Sequence, residues 1–159
     1  PMTTAAGGGR VRLTANFFLD ELLVSETAER LGVSNAPTPA HERNLREILA
    51  PGLQMIRDGL GRAIVVTSAY RNPRVNAEVG GTRTSAHPMG YAADIRAAGL
   101  TARQLAAWIA DQPAIMRRVD QLILETGRNV VHVSFDPRAR GQVLTQAGGP
   151  GSPITQGLA

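Results

Sequence analysis

Four segments of this chain carry residue types that could act together. The first is Ser85-Ala-His-Pro-Met-Gly-Tyr-Ala-Ala-Asp94, in which an acid follows a histidine and Gly90 permits a sharp turn between them. Asp94 lies between Ala93 and Ile95 in a run that reads as strand. A carboxylate inside a strand is costly unless it is paired or binds a metal. The second is Val130-Val-His-Val-Ser-Phe135, a histidine within a β-branched strand. Each has a plainer reading alone: His87 in a loop with Asp94 as a cap, and His132 as a packed core histidine. Together His87, Asp94 and His132 offer nitrogen, oxygen and nitrogen ligands. Three protein ligands with one open position make the catalytic zinc pattern.

The third segment is Gln121-Leu-Ile-Leu-Glu125. If Thr126-Gly-Arg-Asn129 is a hairpin turn, Glu125 stands opposite Val130 and shares a face with His132. Diagonal neighbours lie about 7–8 Å apart, which suits a general base beside a metal. The alternative is an exposed acid at a turn. The fourth is Thr67-Ser-Ala-Tyr-Arg-Asn-Pro73, at the end of a short apolar strand. Arg71 there can grip a carboxylate in a two-pronged pair, or can be a structural arginine. His41, beside Glu42, reads as a surface residue.

These residues need a scaffold. Residues 1–12 read as a flexible lead, and Asn16 as the cap of a short helix over 17–23. A second helix covers 25–31 and ends at Gly32, and Asn35-Ala-Pro-Thr-Pro39 is a turn. Leu45, Ile48, Leu49, Leu53, Ile56 and Leu60 recur at helical spacing, which predicts a long amphipathic helix over 40–60, kinked or broken at Pro51. A buried strand over 63–68, a loop over 70–84, a strand over 92–95 and a helix over 101–110 capped by Thr101 precede the hairpin. After Pro137 the composition turns to Gly, Pro, Gln and Ser and predicts a tail. The expected organisation is one domain over 13–137 with a tail over 138–159. Its class is α+β, a small antiparallel sheet with helices packed on one side.

Composition narrows the chemistry. The absence of cysteine removes disulfides, thiolate zinc sites and cysteine nucleophiles. The net charge of +4 rests on arginine but forms no basic run, and only six aromatic residues (three Phe, two Tyr, one Trp) are available for base stacking, so no nucleic-acid partner is expected. No apolar run approaches the roughly 18–20 residues of a membrane span, and no basic start leads into an apolar stretch, so neither a span nor a signal peptide is expected.

Ser85-x-His87-x-x-Gly90-x-Ala92-x-Asp94 with His132 in a later strand resembles the zinc D-Ala-D-Ala carboxypeptidases and L-alanyl-D-glutamate endopeptidases of peptidase family M15. Ser68-x-Tyr70-Arg71, Asn76 and Gly80-Gly81 look like that family's lead-in. Asn16-Phe17 and the run ending at Glu125 look most like its phage and prophage branch. The resemblance spans about residues 16–136. It implies an M15 DD-peptidase-like zinc fold, zinc on His87, Asp94 and His132, and Arg71 at the substrate, with Tyr70 and Ser85 beside it. Glu125 and Arg71 are the expected catalytic residues. The implied reaction is hydrolysis of peptidoglycan stem or cross-link peptides by a lysin released from the cytoplasm or carried on a virion, as a monomer or a virion part. One departure matters. Many members carry Glu-x-x-His, and here that position is Asn129. A zinc-bearing wall-binding or virion module without catalysis is the alternative.

Overall fold

Several helices begin in this chain at a residue whose side chain caps them. The computed structural model describes residues 9–80, 86–149 and 151–159. Ser25 caps α2 (Glu26–Leu31), which closes at Gly32 with φ +67°. Thr38 caps α3 (Pro39–Asn44), Asn72 caps α5 (Pro73–Glu78), and Thr101 with Gln104 forms a capping box on α6 (Ala102–Ala110). At α1 (Leu19–Leu23) the expected cap is replaced. Asn16 exchanges hydrogen bonds with Gln54, and the Glu21 carboxylate instead accepts the Phe18 N–H at 2.7 Å. Part of the expected loop over 70–84 is α5, because Asn72-Pro73 serves as N-cap and first helical residue.

The long helix over 40–60 is one continuous path in three pieces: α3, a π turn at Leu45–Leu49, and α4 (Ala50–Leu60). Pro51 lacks an N–H, and its ring crowds the preceding turn of a regular helix. The wider turn accommodates it, with the Ala50 N–H reaching five residues back to the Leu45 carbonyl. A short helix α7 (Pro113–Met116) follows α6.

Six strands form one sheet in the order β1-β2-β4-β3-β5-β6. They are β1 (Ile64–Ser68), β2 (Ala92–Ala97), β3 (Gln121–Glu125), β4 (Val130–Ser134), β5 (Gln142–Gln146) and β6 (Ile154–Gln156). All neighbours are antiparallel except β3 and β5. β1, expected to be buried, is an edge strand with Val65 exposed. The segment expected as a tail carries β5 and β6, and Leu158 packs on the core. Its Gly- and Gln-rich composition hides the short β-forming run Val143-Leu-Thr145.

One sheet face is apolar. Ala93, Ile95, Leu122, Leu124, Val131 and Val133 share a core with Leu53 and Ile56 of α4 and Leu105 and Ile109 of α6. The other face carries the register Asp94↔His132↔Ile123, with Glu125 opposite Val130. Among the described residues no helix is long and apolar enough to cross a membrane.

Candidate metal centre

Local structure aims each polar group. A bulge between Val66 and Ser68 turns the end of β1, and Thr67 Oγ1 donates to the Asp94 carbonyl at 3.2 Å. Beyond it, Asn35 clamps the chain. Its amide donates to the Leu23 and Tyr70 carbonyls at 2.9 Å each, and its Oδ1 accepts the Asn72 N–H at 3.0 Å. Arg71, between Tyr70 and Asn72, is thereby turned into the cavity. His87 opens a 3-10 turn, His87–Met89, that ends at Gly90 with φ +83°. A Cβ at Gly90 would lie 2.8 Å from the His41 carbonyl, so glycine is required twice over.

His87 Nε2 lies 3.4 Å from Asp94 Oδ1, and His132 Nδ1 lies 3.2 Å from the same oxygen. One ligand atom from each of the three residues falls within 4.8 Å of the others. Tetrahedral zinc with bonds of about 2.0–2.1 Å sets its ligand atoms about 3.3 Å apart, so the donor set and its spacing fit a metal ion. His87 Nδ1 donates to the Ala69 carbonyl at 2.6 Å, which fixes the tautomer and leaves Nε2 as the ligating atom. Asp94 Oδ2 accepts no hydrogen bond among the described residues and faces the Arg128 guanidinium at 3.7 Å.

The charges suit the same end. Burial pushes His87 below its usual pKa, toward the neutral form that a ligand must have. Burial opposes the charge on Asp94, but His87 and His132 outweigh it and hold the carboxyl well below the usual range. Burial, with Asp94 nearby, raises Glu125 above an ordinary carboxyl, while His132 and Arg128 pull the other way. Burial lowers the Arg71 guanidinium and Asp94 offsets it. Arg71 Nε finds no partner among the described residues.

His87, His132, Glu125 and Arg71 line one cavity of about 500 Å³. The hairpin register expected for Glu125 is the one observed, and its carboxylate is buried rather than exposed at the turn. Tyr70 is not at the cavity. It lies in the core, 1% exposed, with its hydroxyl 3.0 Å from His41 Nδ1. Tyr70 and Arg71, neighbours in the chain, thus face opposite surroundings, the core and the cavity. His41 is therefore a half-buried partner of Tyr70, not a plain surface residue. Ser85 lies outside the described residues. Asn129 takes φ +53°, a left-handed turn conformation that asparagine tolerates and glutamate does not favour.

Three arginines escaped the sequence reading. Arg128, in the hairpin turn, contacts Glu125 at 3.2 Å as well as Asp94; its position three residues after Glu125 was the available signal. Arg138 and Arg140 line the cavity from beyond Pro137, and nothing local marks them. Comparison with curated proteins finds no match. The Peptidase M15 family matches residues 15–134, a stretch that holds all three metal-ligand candidates, Arg71 and Glu125, and the chain belongs to that family.

Proposed function

We propose that the chain is a zinc peptidase that hydrolyses an amide bond in peptidoglycan stem peptides, with Glu125 as general base and Arg71 as the reader of a substrate carboxylate. One observation carries this reading: a buried carboxylate, Glu125, shares a sheet face with His132 and a cavity with His87, His132 and Arg71. His87, Asp94 and His132 would hold the ion. A bound zinc supplies a Lewis acid that polarises a scissile carbonyl and acidifies water to a pKa near 7.

The protein's own residues do the rest. Glu125 accepts the proton of the attacking water and passes it to the leaving amine, and its raised pKa brings it nearer the pH at which it must do both. Arg71, buried and with Nε unpartnered, offers a guanidinium fork to a carboxylate and orients the peptide against the ligands. Ile123, paired with His132, gives the cavity an apolar floor beside that ligand candidate. Release by a holin, or carriage on a virion, rests on the phage-like sequence features alone.

A second reading has its own support. Asn129 stands where many relatives carry glutamate, and Glu125 is held by Arg128 at 3.2 Å, which would suit a zinc-bearing wall-binding module without turnover. Digestion of purified peptidoglycan with mass analysis of the fragments separates the two. Wild-type protein should release new amine and carboxyl termini. Glu125→Gln should keep its zinc and fold but lose about 10²–10⁴ in rate. Zinc-loaded wild type that binds the wall and cuts nothing would establish the module instead.

A further inference from the structure

The family match ends at residue 134, but the cavity extends past it. Its far side is built by Arg138 and Arg140, on the strap between β4 and β5, and by Ile154 of β6. Glu125 and Gln121 both line the cavity from one face of β3, four residues apart, which is about 13 Å at roughly 3.3 Å per residue. Arg140 sits at the Gln121 end, since it binds Asp120.

The charge on this wall is uneven. Among the described residues the cavity is lined by four arginines, Arg71, Arg128, Arg138 and Arg140, and by one acid, Glu125. Asp120, 1% exposed, stands behind. It is filled by Arg140, accepting two guanidinium bonds at 2.8 and 2.9 Å and the Arg140 N–H at 3.0 Å. Arg138 is left at longer range, 3.4 Å from Asp120 and 3.3 Å from Asp136, with its side chain half exposed and donors to spare. Between the two arginines Ala139 takes φ +45°, a conformation that side chains with a Cβ avoid. A strained residue that turns two cavity-lining arginines is held by its surroundings.

We infer that Arg138 and Arg140 form a second anion subsite, which binds a carboxylate of the peptide substrate three to four residues from the bond that is cut. The inference rests on the peptidase reading of the cleft. Arg140, locked by Asp120, fixes the position of the subsite. Arg138 supplies the donors that its longer-range pairs with Asp120 and Asp136 leave over, Nη1 above all. An acidic stem peptide lying along β3 would be held at both ends, by Arg71 near the ligands and by Arg138 at the far wall.

The test is calorimetric titration of the full, zinc-loaded chain on a Glu125→Gln background, so that no bond is cut. The probes are a stem tetrapeptide with free side-chain carboxylates and its side-chain-amidated counterpart. The free acid should bind about tenfold more tightly. Arg138→Gln should bring that ratio close to one, and Arg138→Glu should invert it; the exposed side chain lets both variants fold. A ratio that survives Arg138→Gln, or no peptide binding at all, overturns the subsite. Wild-type digestion of peptidoglycan is run beside it. Cleavage without Arg138-dependent discrimination leaves the peptidase and removes the subsite, whereas discrimination without cleavage does the reverse.

Discussion

Asp94 and Asp120 are equally buried, each 1% exposed, yet their charges are met in opposite ways. Asp120 is held by permanent cations in close geometry: the Arg140 guanidinium at 2.8 and 2.9 Å, with Arg138 at 3.4 Å. Asp94 faces two histidine nitrogens at 3.2 and 3.4 Å and a guanidinium only at 3.7 Å, and one of its oxygens accepts no hydrogen bond among the described residues. A carboxylate already saturated by arginines has little to gain from a metal ion. One met by imidazoles, which are ligands when neutral, has a divalent cation as its natural complement. The type and distance of the partners, more than burial itself, separate a structural anchor from a candidate metal ligand.

The largest expected contrast is in metal binding. Asp94→Asn should lower zinc affinity by more than about 10²-fold, beyond the cost of losing an outer partner, and should abolish cleavage. Asp120→Asn should keep its zinc. Elemental analysis after equilibrium dialysis reads both, and zinc retained by Asp94→Asn would erase the distinction between the two acids.

Stability tests the Asp120 anchor directly. Asp120→Asn removes charge-assisted bonds and should cost about 1–2 kcal/mol, limited because the freed arginines reach solvent. The hydrogen bond from Arg140 holds the Asp120 carboxyl below the usual range. Its contribution is therefore complete above about pH 4, where aspartate in the unfolded chain is ionised, and is lost as pH falls through the lower folded value. Urea unfolding at stepped pH should show wild type and Asp120→Asn far apart near neutrality and converging in strong acid. Curves that stay parallel would mean the pair adds nothing.

The smallest effect probes the strap that presents Arg138 and Arg140. Ala139→Gly relieves the φ of +45° and should stabilise by about 0.5 kcal/mol, the conformational relief being partly offset by glycine's freer unfolded chain. A lower urea midpoint would show that the Ala139 side chain contributes by packing.

Residue type and spacing were enough to single out His87, Asp94, His132, Arg71 and Glu125, which the fold brings together, because each signal is local. A histidine or acid in an apolar strand stands out where it occurs, and a four-residue hairpin fixes which residues oppose one another across β3 and β4. The M15 fold was legible for the same reason, its motif lying in short segments in order. Other features came only from tertiary structure. Tyr70 sits next to Arg71 in the chain but belongs to the core, because the Asn35 clamp and His41 come from distant segments. The residues after Pro137 look like a tail, yet β5 joins the sheet by pairing in parallel with β3, a contact no local pattern encodes. That pairing carries Arg138 and Arg140 to the cavity. A side chain's partners depend on which strands lie side by side, and the long-range packing of the sheet decides that.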